Sequence, residues 1–535
     1  MTPEHLEALW RTGQQQFAQG LLAEARATYT RILAGSPRQV MVQIALSELE
    51  QRAGCYRAAR LHALQAADTV AQTKRWEGLS HVTANLLSFD EREHVLHLIH
   101  QADWNDVRVL RQSPVVSQQL WLCGDQEAAL RFLDIAQKRV KSDHRLAYSR
   151  AMALQHLGRI EQASSAFEDS IRIAPDFALA HWSLAYHARS RPAGARLARL
   201  RAAARHVTSP QERAMLHYAL YKELDAAGDC DAAWAELEAG ASLMRDMLGY
   251  APRKFESDVD AMLDAEVDAM LDAEADAPLL PGPAVEGART PVFVVGMPRT
   301  GTTLLTRILG AHPAVADADE LNALEHAFAE NVDRFVDLPV PRDLLPLLRA
   351  ADQTGIAQAY HRRTQARYTA ATTHLIDKNP MNLFAAGMIA RAMPNAKILC
   401  LVRGAMDACY SNLRQLFQNG AFPYSYDQVQ LAERYAVFRR VVDRFAQRLP
   451  GNFLAVSYED LVRDPVETGR LAMEFCGLGF DPAYADTTRN SSPSGTASAS
   501  QIREPIHTHG IGEWRRYETR LRPLATRLAE LGIAS

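Results

Sequence analysis

The sequence predicts an all-α solenoid at its N-terminal end, followed by an α/β domain built on a parallel sheet with a P-loop-like turn. Three observations predict this: glycines spaced by 34 residues through the first half, a duplicated acidic stretch that ends in prolines, and a short apolar strand that runs into a Gly-rich turn and a helix near residue 296. The 535 residues are 47% hydrophobic and 23% charged, which is long enough for more than one core and too apolar for a disordered chain.

Gly20 and Gly54 lie 34 residues apart, as do Gly124 and Gly158. An alanine follows each by five residues, at Ala25, Ala59, Ala129 and Ala163, and Gly228 with Ala233 keeps the same offset. Pro37 and Pro175 each stand seventeen residues past a glycine. Glycine permits the tight turn between two helices, alanine lets the second helix approach the first, and proline ends the unit. The copies QGLLAEARATYTRILAGSP and LGRIEQASSAFEDSIRIAP resemble the tetratricopeptide repeat, over residues 5–250, with degenerate copies near 75–110 and 178–210. Such a solenoid offers an extended concave surface for a peptide or protein partner, or for self-association.

Residues 256–276 hold nine acids and no Lys or Arg, and VDAMLDAE occurs twice in tandem, at 259–266 and 267–274. Ala, Met and Leu favour helix with the acids toward solvent, so the stretch reads as a helical spacer. It has no glycine for the sharp loop of a calcium site. Pro278, Pro281 and Pro283 then mark a boundary. The division is 1–250 for the repeats, 251–289 for the acidic spacer and linker, and 290–535 for the second domain.

The segment PVFVVGMPRTGTTLLTRIL, 291–309, carries the most chemistry. Pro291 to Val295 read as a buried strand, Gly296 to Gly301 as a turn, and Thr302 and Thr303 as the start of an amphipathic helix. Such a turn aims backbone N–H groups and the helix dipole at an anion. A Walker A loop would need lysine where Thr302 stands; here the cation sits inside the loop, at Arg299. That weakens the alternative of a P-loop kinase or a nucleotide-binding scaffold using the repeats for protein interaction, and favours another 5′-phosphorylated donor.

P-x-x-G-T-T after a buried strand resembles the 5′-phosphosulfate loop of sulfotransferases, which use 3′-phosphoadenosine 5′-phosphosulfate. The family's 3′-phosphate site is an arginine at a strand end with a serine eight residues later. AKILCLVRGAMDACYSNLRQLF matches it: a strand over Lys397–Val402, then Arg403, then Ser411. Arginine suits phosphate because its planar fork donates two parallel hydrogen bonds. LIDKNPMNLF ends a strand at Asp377-Lys378, with Asn379 as N-cap and Pro380 at the first helical position. FLAVSYEDLVRDP, 453–465, is a further strand-to-helix passage, and TASASQIREPIHTHGIGEWRRYE, 496–518, a polar closing segment. Together they resemble bacterial sulfotransferases that carry tetratricopeptide repeats, a branch similar to protein-tyrosine sulfotransferases, over roughly 290–525.

The resemblance implies an N-terminal all-α tetratricopeptide solenoid joined to an α/β sulfotransferase domain, and sulfuryl transfer to an acceptor hydroxyl. It implies roles residue by residue. Glu320, in HPAVADADEL, matches the catalytic glutamate; Asp317 and Asp319 compete with it, and His312 and His374 are alternative bases. Lys378 matches the lysine that steadies the bridging oxygen and sulfuryl group. Arg299 contacts the phosphosulfate, with Thr300, Gly301, Thr302 and Thr303 around the 5′-phosphate, and Arg403 with Ser411 hold the 3′-phosphate. Ser498, three residues before Gln501, matches a serine that assists the sulfuryl group. Two positions depart from the family: Thr300 where serine is usual, and Glu513 where a basic residue is common, with Arg515 or Arg516 to compensate. No metal is implied. The acceptor implied is tyrosine in a peptide or protein, presented through the repeat surface; a sugar, a lipid or a small phenol stays open.

The net charge of −4 excludes bulk nucleic-acid binding, but taking nine acidic charges out of the spacer leaves the remainder at +5. The six cysteines are scattered without a C-x-x-C pair, which excludes a disulfide scaffold. MTPEHLEALW lacks the pattern of a signal peptide and no run reaches the length of a membrane span, so neither stable membrane insertion nor export is expected and the expectation is a cytoplasmic protein.

Overall fold

A computed structural model of the chain describes residues 2–141, 143–187, 194, 196–271, 289–489 and 505–534. They form two compact units: Met1–Ser142 with Asn322–Asp337 and Pro346–Ala366, and Asp143–Leu321 with Leu338–Leu345 and Arg367–Ser535.

The first unit is helical. Its pairs are Pro3–Ala18 with Leu22–Gly35, Val40–Arg52 with Tyr56–Thr73, and Ser113–Leu122 with Gln126–Arg139. The turn glycines Gly20, Gly54 and Gly124 have φ of 78°, 77° and 91°, the left-handed region glycine enters without a Cβ clash. Ala25, Ala59 and Ala129 are fully buried at the close approach of each pair. The degenerate copy becomes three shorter helices, Leu79–Leu87, Arg92–Gln101 and Val107–Leu110. The helices Ala323–Val332 and Gln353–Thr364 pack on these repeats. Tyr56 Oη meets His326 Nδ1 at 3.0 Å, and Arg363 donates to Tyr56 Oη at 3.0 Å and to the Phe89 carbonyl at 2.9 Å.

In the second unit the pairs His144–His156 with Ile160–Ile173 and Pro210–Ala227 with Cys230–Leu248 repeat the motif, with Gly158 and Gly228 at φ 73° and 84°. Beside them lies a sheet of five parallel strands: β1 (Thr290–Gly296), β2 (Val315–Asp317), β3 (His374–Asp377), β4 (Lys397–Val402) and β5 (Phe453–Ser457), in the order β2-β3-β1-β4-β5. The strands are apolar runs because both faces are covered. On one face Val292, Val294, Leu399 and Leu401 pack against Leu305 and Ile308 of the helix Thr302–Leu309 and Met473 of Pro465–Phe475. The repeat tyrosines meet the helix Ala405–Leu413 and the residue after it: Tyr221 Oη lies 3.0 Å from Tyr410 Oη, Tyr218 donates to the Leu413 carbonyl at 3.0 Å, and Tyr186 to that of Arg414 at 2.9 Å. Within each unit, repeat helices therefore contact later segments of this same chain.

The acidic stretch forms the helix Pro252–Leu271. Val259, Met262 and Leu263 are buried, Phe255 lies 3.3 Å from the Arg434 guanidinium, and Asp260 pairs with Arg440 at 2.9 Å. The first VDAMLDAE copy thus docks its apolar side on the helix Gln428–Arg448 and is not a wholly solvated spacer, because Val-x-x-Met-Leu spacing gathers its apolar residues on one face. The side chains of the second copy, and the prolines after it, lie outside the described residues. No described helix is long and apolar enough to cross a membrane.

Candidate active site

Because the five strands are parallel, β1, β3 and β4 deliver their following residues to one edge of the sheet, where open α/β sheets bind ligands. At that edge the chain turns from Gly296 into the helix at Thr302, with φ of 150° at Gly296, 65° at Arg299 and 98° at Gly301. A Cβ at Gly296 would stand 2.7 Å from the Leu401 carbonyl, and one at Gly301 2.5 Å from the Tyr458 ring. Three hydrogen bonds hold the turn: Thr300 Oγ1 to the Met297 carbonyl at 2.7 Å, Asn412 Nδ2 to that of Pro298 at 2.7 Å, and an Arg403 terminal nitrogen to that of Arg299 at 2.9 Å. Thr300 is fully buried and serves the turn itself, while Thr302 and Thr303 stand half-exposed at the first helical positions, where unpaired N–H groups gather.

Arg403 leaves β4 one strand away and stacks on Tyr458 at 4.5 Å. Its second terminal nitrogen donates to the Gly510 carbonyl, and its Nε is buried with no partner among the described residues. Ser411 is buried in the helix Ala405–Leu413, next to Asn412, whose Oδ1 is likewise buried without a partner. Burial lowers the pKa of Arg403, and burial together with Arg414 and Arg403 pulls Arg299 down to about 10. A buried guanidinium depressed by two others, as Arg299 is, marks a site that favours an anion. The orphaned Nε and this crowding of cations fit a phosphorylated donor.

Glu513 does not oppose that anion directly. Its carboxylate is engaged by Arg414, which, against the effect of burial, holds Glu513 below the usual range for glutamate. Arg516 is committed to Asp225 at 2.9 Å, and Arg515 lies over Trp514 at 5.4 Å.

Lys378 follows β3 and is nearly fully buried. Its Nζ lies 2.8 Å from Glu320 Oε1 and 3.1 Å from Asp319 Oδ1. Burial acts against its charge, but the two carboxylates outweigh burial and hold its pKa above the ordinary range. Glu320 and Asp319 follow β2, two strands from β1. Asp317 accepts the Asp319 N–H at 2.9 Å, an Asx contact beside Asp319 at φ 56°. Asn379 caps as expected, accepting from the Met381 N–H at 3.0 Å, and the turn it opens, Pro380–Ala385, is 3₁₀ before it becomes α at Ala386.

The two histidines lie elsewhere. His374 opens β3 and His312 precedes β2, so both are at the amino edge of the sheet, opposite the turn. His374 Nε2 is tied to the Cys476 carbonyl at 3.0 Å, and His312 Nδ1 accepts the Ala314 N–H at 3.1 Å. Ser498 lies outside the described residues. Sequence reasoning missed Tyr458, Arg414 and Asn412. Each stood inside a segment already singled out, but nothing in spacing alone says that Tyr458 lies under both Gly301 and Arg403. Among the described residues no group of three or more His, Cys, Asp or Glu could hold a metal ion.

The Sulfotransferase family model matches residues 291–482. This part of the chain is a sulfotransferase-family domain, joined here to tetratricopeptide-like helix pairs. An uncharacterized protein of Aquifex aeolicus is 27% identical over 330 residues, 60% of this chain and 42% of that protein. Protein-tyrosine sulfotransferase 2 of Gallus gallus is 23% identical over 236 residues, 42% of this chain and 62% of that enzyme. The chain thus spans less than two thirds of the length of either relative. The sulfotransferase domain of the Synechococcus PCC 7002 olefin synthase overlaps 43% of this chain and 88% of its own at 22% identity, with a TM-score of 0.30.

Proposed function

We propose that this chain is a cytoplasmic sulfotransferase that moves the sulfuryl group of 3′-phosphoadenosine 5′-phosphosulfate to an acceptor hydroxyl, with tyrosine in a peptide or protein as the acceptor. The observation that carries the reading is the convergence of two anion-binding features at one sheet edge: the lysine-free turn Gly296–Thr303, and Arg403, whose backbone-facing nitrogen braces that turn at 2.9 Å. The donor supplies an activated sulfuryl group when bound. The chain's residues do the rest. Thr302 and Thr303 present N–H groups and hydroxyls to the 5′-phosphate, Arg403 and Ser411 take the 3′-phosphate, and Arg299 offsets charge on the phosphosulfate. Glu320 accepts the proton of the acceptor hydroxyl. Lys378, kept cationic by its carboxylate neighbours, neutralises the charge left on phosphate oxygen as its bond to sulfur breaks. A kinase has less support: Thr302 stands in the lysine position, and Asp377, the nearest candidate for magnesium, is fully buried and accepts from Asn382 Nδ2 at 3.2 Å.

The test is thermal-shift titration with 3′-phosphoadenosine 5′-phosphate, ATP and GTP. The first should stabilise the chain far more than the others, and Arg403→Ala should abolish the preference. Equal stabilisation by ATP would move the assignment to a kinase. Transfer of radiolabelled sulfate to tyrosine peptides, compared with sugars and small phenols, tests the acceptor.

A further inference from the structure

β5 is the last strand of the sheet and pairs with β4 alone. In a parallel ladder, alternate residues turn their N–H and C=O to the same neighbour. The Ile398 N–H donates to the Asn452 carbonyl at 2.7 Å, so Asn452, Leu454 and Val456 face β4, and Phe453, Ala455 and Ser457 face away. The Phe453 N–H is taken by the Leu449 carbonyl at 2.8 Å. Ala455 is exposed, and its N–H and C=O have no partner among the described residues.

A groove of about 380 Å³ lies at this edge, lined by β5 and the helix Pro465–Phe475. Leu454, Val456 and Leu471 give it an apolar part, and Leu471 is 49% exposed. Asp460, Asp464 and Glu467 line it against one cation, Arg463. Glu467 is paired with Arg470 at 2.6 Å, whereas Asp460 and Asp464 form no ion pair among the described residues. Charges on an edge strand guard it against indiscriminate pairing. Here the guard has one sign. Two β5 edges brought together would set the same acids against each other, which disfavours a second copy, while a cationic strand would be attracted.

We infer that the free edge of β5 is a docking site for an extended, basic segment of a protein partner. The segment adds a sixth strand to the sheet, bonds the Ala455 N–H and C=O, and brings Lys or Arg side chains to Asp460 and Asp464. The strand continues into Tyr458, which stacks on Arg403, and Glu459, which accepts the Gly404 N–H at 2.9 Å. A partner held on β5 therefore lies on the sheet that carries the donor edge, on the part of the chain matched by the sulfotransferase family and not on the repeats.

Fluorescence anisotropy of a labelled, alternating lysine–valine hexapeptide against the full chain tests the inference. The controls are an alternating glutamate–valine hexapeptide and a block peptide of three lysines followed by three valines. The alternating basic peptide should bind, and more weakly as ionic strength rises. The acidic peptide should not bind, and the block peptide should bind at least about threefold more weakly, because it cannot present one face to the groove. Amide exchange at Ala455 should slow in the bound chain. Ala455→Pro removes the outward N–H without costing a bond to β4. It should weaken the basic peptide about three- to tenfold, the scale of one backbone hydrogen bond, with an unchanged thermal midpoint. Asp460→Asn combined with Asp464→Asn keeps the bond from the Glu467 N–H to residue 464 and should flatten the salt dependence. That double variant carries the test if Ala455→Pro disturbs the fold. No binding of the basic peptide, or equal binding of the acidic one, overturns the inference. Unchanged affinity in a folded Ala455→Pro, with exchange at Ala455 unslowed, also overturns it by leaving charge attraction without strand addition. A concentration-dependent dimer in sedimentation velocity that Ala455→Pro dissolves overturns it by giving the edge to a second copy.

Discussion

The ammonium of Lys378 and the carboxylate of Glu320 meet at 2.8 Å although 58 residues separate them. They meet because β2 and β3 are paired in parallel, so the residues that follow each strand emerge side by side at the carboxyl edge. A backbone bond from the Lys378 N–H to the Asp319 carbonyl, 3.0 Å long, fixes the two exits against each other. The pairing places a carboxylate and a cation together at the edge where the Gly296–Thr303 turn also lies.

Glu320→Gln and Lys378→Met should therefore separate proton removal from charge neutralisation. Glu320→Gln should lower sulfuryl transfer by about 10²–10⁴-fold, the usual range for a general base, with nucleotide affinity nearly unchanged. Lys378→Met should lower the rate as well, most strongly for acceptors with poor nucleophiles. Single-turnover transfer with labelled donor is the measurement, and wild-type rates in both variants would remove these residues from the chemistry.

Gly301→Ala should remove nucleotide-dependent stabilisation. The position has φ of 98°, and a Cβ there meets the Tyr458 ring at 2.5 Å, the same ring on which Arg403 stacks. The left-handed conformation alone costs an alanine about 1–2 kcal/mol. Gly20→Ala is the comparison: its φ is 78° with nothing within 4 Å of the added carbon, so it should cost about 1 kcal/mol and leave nucleotide binding intact. If Gly301→Ala retains the full nucleotide shift, the turn is not the anion site.

The glycine spacing made the helix pairs legible because each glycine answers a local demand, a turn at positive φ, that any fold would impose on it. β1 and β4 were legible for a related reason: an apolar strand covered on both faces has little freedom in composition. What could not be read was long-range. Asp317, Asp319 and Glu320 are indistinguishable in sequence, and only the emergence of β3 beside β2 sets Lys378 against Glu320 and Asp319. The compact units were hidden for the same reason, since nothing in Ala323–Val332 announces that His326 will meet Tyr56 at 3.0 Å. Glu513 looked like a conflict with the donor because its partner, Arg414, is 99 residues away.

Glu91 should make the first unit sensitive to acid. Burial alone would raise its pKa, but hydrogen bonds from His94 and Arg60 and the charge of Arg363 outweigh burial and hold it at about 2. A carboxylate depressed in the folded state contributes stability above its unfolded pKa, and that contribution is lost as pH falls through the folded value. The window runs from the ordinary glutamate value near 4.5 down to about 2, and the contribution is on the order of 3 kcal/mol. The amide-exchange protection of the helix Arg92–Gln101, relative to the unfolded-chain rate at each pH, should fall across this range, and Glu91→Gln should already be poorly protected at pH 7 with a flatter dependence. A wild-type profile in Glu91→Gln would show that the Arg60–Glu91–Arg363 cluster carries no such linkage.

Glu513→Gln should divide stability from binding in the second unit. In the nucleotide-free chain Glu513 is the carboxylate that engages Arg414, and both side chains are mostly withdrawn from solvent. Removing the charge leaves Arg414 beside Arg299 with less compensation, so the nucleotide-free protein should lose about 1–2 kcal/mol, reduced from a fully buried pair by the remaining exposure. The same change leaves Arg414 more available to an anionic ligand and removes a negative charge from its surroundings. Affinity for 3′-phosphoadenosine 5′-phosphate should therefore rise, and the thermal shift at saturating nucleotide should exceed that of the wild type. The depressed pKa of Glu513 adds a second readout: the wild type should lose this stabilisation on acidification below the usual glutamate range, and Glu513→Gln should not. Weaker nucleotide binding in Glu513→Gln would mean that Glu513 orients Arg414 for the ligand and does not compete with it.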